Sequence, residues 1–175
     1  GHLVVSTLHT NSSASTITRL EDMGIEPYLI ADSVVGVIAQ RLVRRLCPKC
    51  KQSRMADAVD VETLGLEPNA EAVIYEPVGC HVCNNTGYYG RIGVYEIMEI
   101  TPKLKEVISK HGNADEIKEA ALTQGMKTLR MSATKYVLSG MTSMSASMGW
   151  NCIRRPSVCL RCWPSVTFTP VMWWS

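Results

Sequence analysis

The 175-residue sequence has no apolar run near the roughly 18 residues that a membrane-spanning helix needs. It has no G-x-x-x-x-G-K-[ST] stretch, so no loop of this chain is built to cradle the phosphates of a nucleotide. Its net charge of +2 gives no bulk electrostatic case for binding nucleic acid. Phe occurs once, and no Asp or Glu follows Glu119. No initiator Met opens the chain. Gly1-His2-Leu3-Val4-Val5-Ser6 enters an apolar run at once, which reads as a fragment, so a missing signal peptide carries no information.

What is present supports a folded protein. Hydrophobic residues make up 46% and charged residues 19%, enough for a buried core in one domain or one and a fraction. Seven cysteines is an odd count, and four of them sit in two Cys-x-x-Cys pairs. That fits metal in a reducing compartment better than a disulfide framework.

Leu3–Leu8 reads as a short buried strand. Asn11 or Ser12 can cap a helix running through Arg19 and Leu20, with Gly24 placed to end it. Pro27 suits the first turn of a second helix, in which Ile30, Val34, Val37, Ile38 and Arg41 recur at helical spacing. Residues 51–79 are mixed and partly acidic and read as an inserted lobe. Gly87–Arg91 is expected to turn and Ile92–Ile100 to form a strand. Three helical patterns follow: around Leu104, Val107 and Ile108; from Ala114-Asp115 through Ile117 and Ala121; and around Leu129, Ala133, Tyr136 and Val137.

Composition breaks after Met144. All four Trp and three of the seven Cys lie from Trp150 onward, without usable periodicity. A real apolar tail would dock on a partner. A shifted reading frame or an artefact is the favoured reading of 145–175. Cys159 and Cys162 have no matching second pair and are set aside as ligands.

Cys47-Pro48-Lys49-Cys50 and Cys80-His81-Val82-Cys83 carry the strongest chemical signal. Structural zinc takes four tetrahedral ligands, often thiolates, and each Cys-x-x-Cys turn supplies two sulfurs to one side of the ion. The 29 residues between the pairs exceed the usual spacing. Loop closure grows logarithmically, so the excess costs under about 0.6 kcal/mol. Structural zinc contributes on the order of 10 kcal/mol. A thioredoxin-like redox pair and two disulfides are the alternatives, and two matched pairs favour zinc. Haem attachment fails because Asn84, not His, follows Cys83. Gly79 and Gly87 suit the tight backbone. Lys49, Lys51 and Arg45 would offset thiolate charge, and His81 is a solvated loop residue.

At the other end, a strand running into His9-Thr10-Asn11 and a helix start puts polar groups where α/β proteins place ligands, and the helix N–H groups suit a phosphate. A capping Asn and a buried, hydrogen-bonded His would look the same.

Several stretches together resemble a known family. These are Gly-His-Leu-Val-Val-Ser-Thr-Leu-His-Thr-Asn at 1–11, Arg-Leu-Glu-Asp-Met-Gly-Ile-Glu-Pro at 19–27 and Ala-Gln-Arg-Leu-Val-Arg-Arg-Leu-Cys-Pro-Lys-Cys at 39–50. Residues 79–96, from Gly-Cys-His-Val-Cys to Gly-Val-Tyr-Glu, and Gly-Met-Lys-Thr-Leu-Arg at 125–130 complete the set. Across about residues 1–144 the chain resembles the C-terminal part of the bacterial secretion ATPases that power type IV pilus assembly and type II secretion. The four-cysteine insertion marks the assembly or secretion branch.

The resemblance implies an α/β fold: the C-terminal part of a RecA-like P-loop ATPase domain, with a zinc insertion and a small C-terminal helical subdomain. The implied division is 1–46 for the ATPase core, 47–92 for the zinc-binding insertion, 93–144 for the C-terminal strand and helices, and 145–175 for the atypical tail. It implies a cytoplasmic homo-hexamer on the inner face of the cytoplasmic membrane, docked on a platform protein, with structural Zn2+ and with ATP and Mg2+ in the parent. His2 and His9 match a histidine box near the γ-phosphate. Arg41 falls in a Gln-Arg-Leu stretch near the nucleotide, though a structural ion pair fits it equally. The Walker B acid is missing along with the P-loop, so the chain alone is expected to be inactive. A zinc-stabilised interaction module without a nucleotide role is the alternative.

Overall fold

The structure is a computed structural model, and it describes residues 2, 4–68, 70–148 and 171–174. It is mixed α/β. The chain divides into two compact units: one from residues 1–41, 95–129 and 166–175, the other from 42–94 and 130–165.

In the first unit, β1 (Val4–Thr7) leads to α1 (Ser13–Asp22). Ser12 caps α1 by accepting the Ser15 N–H at 3.2 Å, and Ser15 Oγ accepts the Ser12 N–H at 3.0 Å. Ala14, Ile17 and Leu20, three residues apart, are its buried face, and Gly24 at φ +87° follows its end. α2 (Pro27–Ser33) begins with proline at its first turn. The chain then enters β2 (Val34–Leu46), of which residues 34–41 belong to this unit. β5 (Tyr88–Glu99), of which residues 95–99 belong to this unit, brings the chain back, followed by α4 (Pro102–Ser109) and α5 (Ala114–Thr123). Thr101 and Asn113 cap these helices by accepting the N–H groups of Leu104 and Glu116. Strands β1, β2 and β5 share a four-stranded sheet with β6 (Val171–Trp174), in the order β1-β6-β2-β5. β6 pairs antiparallel with both of its neighbours. One core joins Ile17, Ile30, Val37, Met98, Leu104 and Ile117, all fully buried.

The second unit holds β3 (Gln52–Met55), α3 (Ala58–Leu64) and β4 (Val73–Glu76), with a 3-10 turn at His81–Cys83. β3 and β4 pair antiparallel, Gln52 opposite Glu76 and Met55 opposite Val73. Most of α6 (Leu129–Leu138), and α7 (Met144–Met148), belong here too. Leu64, Ile74 and Val137 form the lobe's core, with Leu66, Leu138 and Met144 packed against it. The Arg130 guanidinium donates to the Thr63 carbonyl at 3.2 Å, and Thr134 Oγ1 to that of Leu64 at 3.3 Å.

Three expectations need correction. β1 is not buried: all four of its residues are exposed, Val4 at 51% and Val5 at 53%. An apolar strand is buried only where layers cover its faces. The second helix stops at Ser33 and does not continue to Arg41. Its apolar spacing also satisfies a strand, because Val37, Ala39 and Val43 fall on one alternating buried face. The β-branched residues Val34, Val35, Val37 and Ile38 then favour the extended form. At Gly36 a Cβ would lie 3.2 Å from the Met98 carbonyl oxygen, a close approach of backbone to backbone. Gly87–Arg91 is mostly strand, since β5 starts at Tyr88. The reversal occurs earlier, at Asn84 and Asn85, both left-handed at φ 51° and 58°. The helices expected near Leu104, Ala114 and Leu129 are present as α4, α5 and α6. Most of the tail, including Cys152, Cys159 and Cys162, lies outside the described residues.

Candidate metal centre

The two Cys-x-x-Cys turns meet. The Sγ atoms of Cys47, Cys50, Cys80 and Cys83 all lie within 4.8 Å of one another. Cys47 to Cys80 is 3.9 Å, and Cys50 to Cys83 and Cys80 to Cys83 are each 3.8 Å. A regular tetrahedron with metal–sulfur bonds of about 2.3 Å has sulfur–sulfur edges of about 3.8 Å. The four sulfurs are therefore spaced to take one tetrahedral ion. All four are free thiols, two of them buried.

Local backbone geometry explains the convergence. After Cys47 the chain turns back, with the Lys51 N–H donating to the Cys47 carbonyl at 3.1 Å. The 3-10 turn does the same for the second pair, the Cys83 N–H reaching the Cys80 carbonyl at 3.2 Å. The Cys47 N–H donates to the Gly87 carbonyl at 2.9 Å, tying the first turn to the far side of the second. Three more N–H groups point at sulfur: Gly79 to Cys50 at 3.3 Å, Cys80 to Cys83 at 3.3 Å and Gly87 to Cys83 at 3.2 Å. Backbone donors of this kind stabilise thiolate over thiol.

Two glycines make these approaches achievable. Gly79 sits at φ +111°, and a Cβ there would be 2.8 Å from the Asn85 carbonyl oxygen. Gly87 sits at φ +74°, and a Cβ would be 2.9 Å from Cα of Pro77. Neither position accepts a side chain without moving backbone.

Without metal the thiols differ. Burial pushes Cys83 up, but the N–H donors of Cys80 and Gly87 outweigh it and bring it down to about 6. Burial pushes Cys50 up to about 11, aided by its hydrogen bonds to the neighbouring sulfurs and opposed by the Gly79 N–H. The backbone donors therefore favour the thiolate form at Cys83. Lys49 is exposed, whereas Lys51 turns away from the sulfurs. Its Nζ donates to the Gly140 carbonyl at 2.8 Å and lies 4.6 Å from the Tyr75 ring centroid. His81 is exposed in its turn.

The centre also fastens the strand that leads into it. Within the same unit, the Leu46 N–H donates to the Met141 carbonyl at 2.8 Å, and Thr142 Oγ1 donates to the Arg44 carbonyl at 2.8 Å. Arg44 stacks on Tyr88 at 4.0 Å from the ring centroid, and the Tyr88 hydroxyl meets Ser143 Oγ at 2.7 Å. Residues 141–143, just after α6, are therefore locked to both approaches to the cysteines.

The other candidate residues lie in the first unit. His2 precedes β1 and His9 follows it, and both are exposed. His9 stands three residues before the N-cap of α1. Arg41 is half-buried in β2, where desolvation lowers its pKa from the ordinary arginine value.

One buried acid was missed by sequence reasoning. Glu96 on β5 is 5% exposed. One carboxylate oxygen accepts the Ser13 N–H at 2.9 Å and also the Ser13 hydroxyl, and the other accepts the Leu129 N–H at 3.1 Å. A signal was available: Val94, Glu96 and Met98 alternate on the buried face of β5, and Ile100 just past its end continues the phase. An acid in a core phase must be satisfied by donors, here at the starts of α1 and α6.

Comparison with known proteins adds a family and its relatives. Residues 1–154 match the family described as Type II/IV secretion system protein. The type IV pilus assembly ATPase PilB of Acinetobacter baylyi is 49% identical over 148 residues, covering 82% of this chain and 25% of that protein. PilB of Myxococcus xanthus is 44% identical, covering 85% of this chain and 27% of its own length. The type II secretion system protein E of Pseudomonas aeruginosa is 43% identical, covering 82% and 28%. The chain thus spans about a quarter of the length of these curated relatives.

Proposed function

Because the chain belongs to the type II/IV secretion system protein family, we propose that it is part of an ATPase that powers type IV pilus assembly or type II secretion. The observation that carries this reading is the similarity itself: it runs through both units, and the relatives are named for these two roles. In the proposal the first unit completes a RecA-like P-loop core in a cytoplasmic hexamer docked on a membrane platform protein. His2, His9 and Arg41 lie toward ATP and Mg2+. No helix among the described residues is long and apolar enough to cross a membrane.

Cys47, Cys50, Cys80 and Cys83 hold structural Zn2+ in this reading. Zinc would supply four metal–thiolate bonds and no open coordination position, hence rigidity and not catalysis. The chain's own part is to aim three backbone N–H groups at two of the sulfurs and to tie residues 141–143 to the strand entering the site. Rigidity there suits a machine that converts hydrolysis into motion, since a soft insert would absorb the displacement.

Phosphate release is the direct test. The isolated 175-residue chain is expected to release none above buffer, and a longer chain carrying an in-frame P-loop ahead of Gly1 is expected to turn over ATP. Turnover by the isolated chain, or none by the longer one, would contradict the proposal.

A further inference from the structure

We propose that an apolar groove in the lobe between the two cysteine pairs docks a basic amphipathic helix of a protein partner. The groove encloses about 590 Å³ and is lined by Met55, Val61, Leu66 and Pro68, with Glu62 and Glu71 in its wall. Apolar surface continues past it: Met55 is 57% exposed, and Val73, its cross-strand partner, 44%. A small ligand filling the groove would leave that surface wet. A helix laying an i, i+4, i+7 row into the groove would cover both.

Charge selects the partner. Residues 52–76 hold six acids and one base, on a chain whose net charge is +2. The base, Arg54, is engaged by Asp60 at 2.6 Å and by Glu76. Among the described residues no ion pair involves Glu62 or Glu71, and both are exposed. An acidic wall beside an apolar floor repels phosphates, fatty acids and acidic lipids and attracts lysine and arginine. A second copy of this lobe would bring acid against acid, which disfavours self-association through the groove. Met55 supplies the adaptable surface on which helix side chains repack. The inference stands apart from the nucleotide reading, since no residue of the groove belongs to it.

The test uses the full chain, reduced and zinc-loaded. The probes are labelled peptides of about 14 residues, roughly four turns: one of Leu and Lys patterned as an amphipathic helix, its scrambled isomer, and a Leu/Glu counterpart. At near-physiological ionic strength, anisotropy is expected to show the patterned Leu/Lys peptide binding at least tenfold tighter than the other two. Glu62→Lys/Glu71→Lys is expected to weaken it at least tenfold, and Glu26→Lys/Glu119→Lys, distant in sequence and equally exposed, less than twofold. Metal content and circular dichroism establish that the variants fold. Leu66→Ser, which keeps the charge and removes apolar lining, is also expected to weaken binding. Equal binding of the scrambled peptide, equal loss in both double variants, or self-association abolished by Glu62→Lys/Glu71→Lys would overturn the proposal.

Discussion

Glu96 accepts the backbone N–H of Ser13 at 2.9 Å across a separation of 83 residues, deep in the first unit. Its other oxygen takes the Leu129 N–H, so one carboxylate serves the starts of two helices. Both N–H groups would be orphaned without it. Glu96→Ala is therefore expected to lower stability by about 3 kcal/mol, the cost of buried donors losing a charged acceptor. Ser13→Ala, which keeps the backbone donor, is expected to cost about 1 kcal/mol. Urea unfolding monitored by circular dichroism measures both, and a loss under about 0.5 kcal/mol for Glu96→Ala would contradict the clamp.

Gly87 turns at φ +74° and points its N–H at Cys83. Gly87→Ala adds a Cβ against Pro77 in a conformation that L residues avoid. The expected cost is about 2 kcal/mol, with metal released at lower chelator concentration than from the parent. Gly24→Ala, where a Cβ meets nothing within 4 Å, carries the φ strain alone and is expected to leave chelator sensitivity unchanged. Titration with a colorimetric zinc chelator separates the two.

Acid should loosen the lobe through Asp60. Burial raises its pKa, but Arg54 at 2.6 Å and the Asp57 N–H outweigh burial and hold the group below its ordinary value of 3.8. A depressed carboxylate stabilises the fold above its unfolded pKa and loses that contribution as pH falls through the folded one. Stability is expected to be flat in this respect at neutral pH and to decline below about pH 4. Asp60→Asn should cost about 1 to 2 kcal/mol at pH 7 and flatten the acid limb. Thermal melts across that range provide the comparison, and an unchanged acid limb in Asp60→Asn would exclude the Arg54 pair as its source.

Legibility in the sequence followed how local the determinants were. Ser12, Thr101 and Asn113 cap helices through bonds within three residues, and α1, α4, α5 and α6 were readable from spacing and caps. β2 was misread because Val37 and Arg41 fit helical and strand spacing alike, while the register shift between Val34 and Gly36 brings Val34 to the buried face as well, and the choice rests on pairing with β6 and on the backbone of β5 at Gly36. The cysteines were readable because thiolate spacing is a local code, although their two turns lie 33 residues apart. Glu96 was not, since its donors come from residues 13 and 129 and only its core phase on β5 hints at them. The acidic groove was equally hidden, because its walls come from β3, α3 and residues 66–71.

Metal content per chain tests the central claim most directly. Elemental analysis of the reduced, desalted protein is expected to find one zinc per chain, lost in Cys47→Ser and Cys83→Ser and kept in Cys159→Ser/Cys162→Ser. A parent chain without stoichiometric zinc, or zinc retained in Cys83→Ser and lost in Cys159→Ser/Cys162→Ser, would contradict the four-thiolate centre.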